Sequence, residues 1–254
     1  MPKQLKLFLG SVGFLSIIPT GTSGKLTKPE LGRSAAYFPA AGLVIGIIGM
    51  TLALALDKIL PSPATNALLI LYLVVISGGL HLDALADTVD GFIGGRTRKQ
   101  RLAIMREGAS GPIGVAAVTL TLLLEFTFLN SLTGPPRLLA ILTVPALARW
   151  PMVWLAWRLP AVRRSGLGFI FAGQVRKIDV VGSSLVAGLI CVYLSLLLGP
   201  LNLIILPVLL LAAVVGTGVN KKLIGGVTGD TLGAMVEISE IILFLAIGMI
   251  GYYA

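Results

Sequence analysis

Three aspartates stand within eight residues of one another and are the clearest candidates for chemistry in this sequence. Asp83, Asp87 and Asp90 would occupy a sector of roughly 60° on a regular helix. Carboxylates held this close repel one another, and a divalent cation removes the repulsion. Mg²⁺ prefers hard oxygen ligands and usually takes one or two carboxylates together with water and phosphate oxygens. The spacing therefore predicts a Mg²⁺ site for phosphoryl transfer, against the alternative of a solvated polar helix face.

Residues on either side of the aspartates extend or limit this site. His81 is the single histidine, and on a regular helix it would point about 160° away from Asp83. We therefore expect a ligand or base role for His81 only if the helix is distorted, and otherwise a packing role. A flexible, arginine-rich loop is expected after the third aspartate, and guanidinium groups bind phosphates through paired hydrogen bonds. Phosphate contacts are expected at Arg96, Arg98 and Arg101, although membrane orientation alone also explains basic residues there.

Residues 220–230 form a second constellation, a glycine-rich segment that leads into the last apolar stretch. Glycines let backbone N–H groups approach a phosphate, and a helix N-terminus favours an anion. Substrate contacts are expected from Asn220, Lys221, Gly225, Gly226 and Thr228. Asp230 is a candidate catalytic residue together with Asp83, Asp87 and Asp90. The alternative is that Asp230 only caps the helix that follows.

Four further ionisable residues fall inside long apolar stretches: Glu125, Arg149, Glu237 and Glu240. Charged groups at membrane depth are costly and face a polar interior. We expect Arg149 to pair with one of the three glutamates, and the sequence leaves open which one.

The composition predicts the elements that position these residues. The chain has 254 residues, of which 56% are hydrophobic and 12% are charged, whereas roughly a quarter are charged in a soluble domain. We expect an all-α, polytopic integral membrane protein with a single membrane domain over residues 1–254. The N-terminal segment is short and interrupted by glycines, so an interfacial or half-inserted helix is expected there. Seven stretches approach the roughly 20 residues that a spanning helix needs, namely residues 35–56, 64–80, 111–132, 138–157, 180–198, 201–219 and 232–253. The three aspartates directly follow the second stretch and are expected to continue its helix.

The basic residues predict the orientation of this chain. With seven spans, 17 of the 20 lysines and arginines alternate onto one side, which the positive-inside rule identifies as the cytoplasm. The expected location is therefore the cytoplasmic membrane, with lipid around the helices and with the N-terminus and active site in the cytoplasm. The net charge of +9 is explained by these loops and does not predict nucleic-acid binding. The oligomeric state is left open, and a homo-oligomer is compatible with the sequence.

Together these motifs resemble the cobalamin synthase family, the adenosylcobinamide-GDP ribazoletransferases. The resemblance covers nearly the whole chain and is carried by residues 37–39, 81–91, 104–106, 111, 114, 149–150, 166–168, 225–234 and 237–240. It implies a Mg²⁺-dependent glycophosphotransferase of the prokaryotic membrane. A hydroxyl of α-ribazole, or of its 5′-phosphate, would attack the cobinamide-linked phosphorus of adenosylcobinamide-GDP. GMP would leave, in the last assembly step of vitamin B12.

One departure from the family pattern affects the expected ligands. The family usually has Asp-Ser-Arg where this chain has Glu107, Gly108 and Ala109. Glu107 keeps the carboxylate and is expected as a fourth metal ligand beside the three aspartates. The contact that this arginine normally makes is supplied by Arg106 or by the loop from Arg96 to Arg101, or it is missing.

Two other functions match parts of the sequence. The residues from Asp87 to Gly91 also match the opening of the CDP-alcohol phosphotransferase motif, but the later glycine and two spaced aspartates of that motif are absent after Gly111. An ion-coupled transporter would use the intramembrane glutamates, but it predicts inverted repeats. No internal repeat stands out in the sequence, and transport leaves the aspartates unexplained.

Overall fold

The computed structural model describes residues 1–22, 25–163 and 167–253, and within them the chain is built from α-helices. Gly166, which belongs to the family motif, and Arg164 lie outside the described residues. The helices are α1 (Lys3–Leu15), α2 (Lys28–Ser34), α3 (Phe38–Leu56), α4 (Ser62–Ile76), α5 (Leu80–Gly94), α6 (Arg98–Ile104), α7 (Pro112–Asn130), α8 (Gly134–Leu147), α9 (Arg149–Arg158), α10 (Leu167–Phe171), α11 (Lys177–Leu198), α12 (Ile205–Leu223) and α13 (Gly229–Tyr253).

Six helical segments of the described chain are long and apolar enough to cross a membrane, and a bent pair of helices raises the number to seven. They are Lys28–Leu56, Pro112–Asn130, Gly134–Arg158, Lys177–Leu198, Pro200–Leu223 and Gly229–Ile250, with α4 and α5 as the bent pair. The predicted class, an all-α polytopic membrane protein, is confirmed. α1 has 13 residues, fewer than the roughly 20 needed to span, and its interfacial position stays a prediction.

The second predicted span is the one that the structure changes. The aspartates were expected to continue its helix, but α4 ends at Ile76 and the chain turns by 83° before α5 begins. Gly78 and Gly79 make this turn with φ values of 64° and 72°, a region that residues with a Cβ rarely adopt. The expectation of one continuous helix was therefore wrong, because two consecutive glycines allow a break that the apolar pattern does not reveal.

The centre of the bundle is α8, which packs closely against α3. A Cβ at Gly42 or Gly46 would overlap the backbone carbonyls of Pro145 and Leu142 respectively, so these two glycines, four residues apart, let the helices touch backbone to backbone. Pro145 lies inside α8 and supplies no N–H. α8 gives way to α9 three residues later, at Ala148.

A polar network closes the end of the bundle where the turns after α3 and before α8 lie. Arg137 donates to Asp57 at 2.7 and 3.2 Å and to Asn66 at 2.8 Å, and Asn66 donates to Asn130 at 2.6 Å. The hydrogen bonds from Arg137 lower the pKa of Asp57, a residue between α3 and α4. Four elements are thereby fastened at the end opposite the aspartates.

Candidate active site

A cleft with a volume of about 130 Å³ lies between α5, the start of α13, Arg163 and α10. Asp83 and His81 contribute from α5, and Asp230 contributes from α13. The two helices cross at close range, because a Cβ at Gly233 would lie only 2.6 Å from the Cβ of Ala84. The structure therefore brings together the two constellations, which are about 140 residues apart in the sequence.

The start of α13 is fixed by local backbone hydrogen bonds. Val227 pairs with the preceding connection, donating to the carbonyl of Pro160 at 2.9 Å and accepting from Val162 at 3.1 Å. Thr228 caps the helix, because its hydroxyl accepts from the N–H of Thr231 at 3.1 Å while the Thr231 hydroxyl accepts from the N–H of Thr228 at 3.1 Å. The cap is thus Thr228, and Asp230 is left free to face the cleft.

Asp230 forms the one ion pair of the cleft within the described residues. Its Oδ2 accepts from Arg163 Nη1 at 3.1 Å and from the hydroxyl of Thr228 at 3.2 Å. Arg163 also donates to the carbonyl of Leu102 at 3.3 Å, and its buried Nε has no partner among the described residues. Arg163 was counted in the sequence only as a cytoplasmic basic residue, and its place in the cleft was missed. The nearest sequence feature that could have indicated this position was the family motif, which begins three residues later at Gly166.

Asp87 lies at the centre of the negative charge. Asp83, Asp90 and Asp230 are all close enough to repel its carboxylate, and Arg163 is close enough to attract it. Asp83 is exposed and Asp87 is half-buried. This is the crowding that the helical spacing predicted, with Asp230 added from another helix.

Asp90 has a different environment from the other two aspartates. It is buried, and its two carboxylate oxygens accept from the backbone N–H groups of Gly111 at 2.6 Å and Gly114 at 2.7 Å. Both donors belong to the N-terminus of α7, where a negative charge is stabilised by the helix dipole. Asp90 therefore holds α7 against α5. Each oxygen keeps a second lone pair, so the metal-ligand and catalytic roles of Asp90 stay predictions.

The four predicted metal ligands do not form one tight group. Within the described residues, the set of three or more carboxylates with oxygens inside 4.8 Å of one another lies elsewhere and contains none of Asp83, Asp87, Asp90 and Glu107. Glu107 is exposed in the turn after α6. Met105, two residues earlier, is buried against Gly91, and the chain returns to the surface after it. The metal-ligand roles of Asp83, Asp87, Asp90 and Glu107 stay predictions.

The arginine-rich stretch is helical rather than a flexible loop. Thr97 caps α6, and Gln100 completes the capping box. Arg101 donates to the carbonyls of Phe92 at 3.4 Å and Leu223 at 3.1 Å, which fastens α6 to the ends of α5 and α12. Arg101 thus has a structural role that was not predicted. The side chains of the other predicted contacts on this face are exposed: Arg96, Arg98, Arg106 and Lys221.

The glycine-rich segment also serves the fold more than predicted. Gly225 has φ 75° and lies against the guanidinium of Arg98, since a Cβ there would be 2.6 Å from Nη1. A Cβ at Gly226 would overlap the carbonyl of Pro160. Asn220 closes the turn, because its carbonyl accepts from the N–H groups of Ile224 and Gly225 at 3.0 Å. The phosphate contacts expected from Asn220, Gly225 and Gly226 stay predictions.

His81 forms part of the inner wall of the cleft. It is 2% exposed, and its Nε2 has no partner among the described residues. His81 lies in the first turn of α5, and its packing role stays a prediction.

These features define a class of protein, a multi-pass α-helical membrane protein with an acidic cleft at one end of its bundle. More particularly, the chain belongs to the cobalamin-5-phosphate synthase family, whose model matches residues 7–248. The adenosylcobinamide-GDP ribazoletransferase of Pseudomonas putida strain F1 is 38% identical over 242 residues, covering 93% of this chain and 96% of that protein. The protein of the same name from Geotalea daltonii is 33% identical over 249 residues, covering 98% and 99%. No solved structure matches the chain.

Proposed function

We propose that this protein transfers the adenosylcobinamide phosphate group from adenosylcobinamide-GDP to α-ribazole or α-ribazole 5′-phosphate. The attacking hydroxyl oxygen forms a bond to the cobinamide-linked phosphorus, the bond from that phosphorus to GMP breaks, and the hydroxyl proton is released. The observation that carries this proposal is the meeting of Asp83, Asp230 and Arg163 in one cleft, with Asp87 close enough to interact with their charges, in a chain of this family.

The charges of the cleft suit a pyrophosphate substrate with Mg²⁺. Phosphoryl transfer needs positioning and neutralisation of charge more than covalent participation by the protein. Asp83, Asp87 and Asp230 are oxygen donors that repel one another, which fits a divalent cation, and they are the residues that would hold it. Such an ion would neutralise the pyrophosphate oxygens. Arg163 adds a guanidinium, a group suited to phosphate oxygens, on the same wall.

The size of the cleft limits what enters it. Its volume of about 130 Å³ is below the roughly 300–1,000 Å³ of pockets that enclose a drug-sized ligand. We propose that the pyrophosphate reaches Asp83 and Asp230, while the corrinoid and guanosine stay outside. The exposed side chains of Arg96, Arg98 and Arg106, in and beside α6, add a cationic surface at the same end of the bundle.

Isosteric variants test this assignment. We expect Asp83→Asn and Asp87→Asn each to reduce the rate of GMP release at least about 100-fold, the typical effect of removing one electrostatic contact to a transition state. Glu30→Gln is the matched control, since it neutralises a half-buried carboxylate of α2 that pairs with Lys6 and does not line the cleft. Aspartate variants that work within a few-fold of the wild type, while Glu30→Gln behaves normally, would contradict the proposed site.

The two alternative functions predict other outcomes of the same assay. A CDP-alcohol phosphotransferase would release CMP from a CDP-alcohol and no GMP. A transporter would move ions or protons in vesicles without consuming adenosylcobinamide-GDP. The similar proteins carry the ribazoletransferase name, which supports neither alternative.

A further inference from the structure

A second acidic cluster lies inside the bundle, away from the cleft. Glu125 of α7 and Glu237 and Glu240 of α13 are 2%, 6% and 4% exposed. Each offers a carboxylate oxygen, and these oxygens all lie within 4.8 Å of one another. Glu237 follows the cleft residue Gly233 by one helical turn, so the cluster lies directly beneath the inner wall of the cleft.

The cluster lies at membrane depth. Glu237 is eight residues into the segment Gly229–Ile250, about 12 Å along the helix at 1.5 Å per residue. Glu125 and Arg149 likewise fall well inside the segments Pro112–Asn130 and Gly134–Arg158. Ionised side chains at such depth need partners.

One basic side chain faces this cluster in the described residues. Arg149 is 2% exposed; its Nη1 is 3.4 Å from Glu240 Oε1, and the same nitrogen donates to the carbonyl of Pro145. The expected pairing of Arg149 with a glutamate is confirmed, and the partner is Glu240. When all three glutamates are ionised, three carboxylates against one guanidinium leave an excess of two negative charges.

Glu125 supplies an independent sign of a missing ligand. Its Oε1 is fully buried and has no hydrogen-bond partner among the described residues, although it belongs to the most buried of the three side chains. A buried polar atom without a partner costs about 1–3 kcal/mol, and more when it is charged. This oxygen points to a positive ligand that the protein side chains do not provide.

We propose that Glu125, Glu237 and Glu240 bind a divalent metal cation beneath the cleft. A divalent ion cancels the excess of two charges. Its ligand oxygens at 2.0–2.6 Å would be separated by no more than about 5.2 Å, which matches the observed spacing within 4.8 Å. Metal sites in helical bundles are commonly built from glutamates on facing helices. The ion would tie α7 to α13, the helix that carries Asp230.

Counting bound Mn²⁺ in the purified full-length protein tests this proposal. After dialysis against a chelator and then against Mn²⁺, we expect Glu125→Gln and Glu237→Gln each to bind one Mn²⁺ fewer per chain than the wild type. The double variant Asp83→Asn/Asp87→Asn lacks two of the three proposed cleft ligands and is expected to retain this ion. Glu30→Gln is the matched control and should bind as many Mn²⁺ as the wild type.

Thermal melting in Mn²⁺ and in chelator gives a second readout that depends on no glutamate variant. The double aspartate variant should melt at a higher temperature in Mn²⁺ than in chelator. Equal Mn²⁺ counts in the wild type and both glutamine variants would show that protons neutralise the cluster and would overturn the proposal. No Mn²⁺ in the double aspartate variant would overturn it as well, whereas a full count there would instead contradict the cleft site.

Discussion

At the scale of single residues, the aspartates of one motif have two different roles. Asp83 and Asp87 lie at the acidic cleft, while Asp90 accepts two backbone hydrogen bonds from α7. Helical spacing predicted that the three would share a face. Helical spacing did not predict the hydrogen bonds that Asp90 accepts, because the donors, Gly111 and Gly114, are 21 and 24 residues away.

This difference predicts that Asp90→Asn destabilises the protein and Asp83→Asn does not. An amide accepts through one oxygen and presents an N–H₂ group to the other donor, so at least one of the two hydrogen bonds is lost. A hydrogen bond to a charged group is worth about 1.5–3 kcal/mol. Thermal melting in detergent should show a lower melting temperature for Asp90→Asn alone, and equal melting of both variants would contradict the capping role.

Arg163 is predicted to be essential although the sequence motifs did not single it out. Arg163→Gln should lower the rate of GMP release by about 100-fold, because it removes a cation from the charge-neutralising wall of the cleft. Arg163→Lys should recover only part of that rate, since an ammonium group cannot make the paired contacts of a guanidinium. Lys99→Gln removes an exposed charge of α6 as a control. A normal rate in Arg163→Gln would exclude the residue from the site.

At the scale of elements, the apolar stretches predicted most helices. The turn and the helix crossing that they did not predict both depend on glycines. The segments near 111–132, 138–157, 180–198 and 201–219 were found close to their expected positions. The 83° turn before α5 was missed, because Gly78 and Gly79 are small apolar residues that also occur inside spanning helices. The crossing of α5 and α13 at Gly233 is a contact between distant segments, which no local pattern contains.

The turn predicts a sharp response to adding one methyl group. Gly79→Ala should cost about 1–2 kcal/mol, because φ 72° is unfavourable for any residue with a Cβ. It should also reduce GMP release, since α5 carries Asp83 and Asp87. Gly188→Ala in α11 is the matched control, because a Cβ there meets nothing within 4 Å. If the two alanine variants melt at the same temperature, the turn does not constrain α5 as described.

At the scale of the whole molecule, the positions of the charged residues along the chain predicted that the charges would gather at one end of the bundle. The aspartates, Arg163, Asp230 and the α6 arginines gather at one end of the bundle, and the Arg137 network closes the other end. The bundle as such follows from hydrophobicity. The site does not follow from hydrophobicity. It is assembled from α5, the chain around Arg163 and the start of α13, and their contacts depend on close packing at Gly226 and Gly233.

The proposed cytoplasmic orientation predicts which vesicles expose the cleft end. Cys191 is the single cysteine and is buried, so an introduced Arg96→Cys provides one reactive thiol. A membrane-impermeant maleimide should label it in inverted membrane vesicles and not in intact cells. Lys58→Cys, at an exposed position in the connection between α3 and α4, should show the reverse pattern. Labelling of Arg96→Cys in intact cells would reverse the proposed topology.

The most direct test of the proposed activity is product formation by the purified wild-type protein. With adenosylcobinamide-GDP, α-ribazole and Mg²⁺, we expect GMP and a cobalamin product of the matching mass in equal amounts. Chelation of Mg²⁺ should stop both, and readdition should restore them. Absence of the cobalamin product, under conditions in which an authentic ribazoletransferase forms it, would contradict the account.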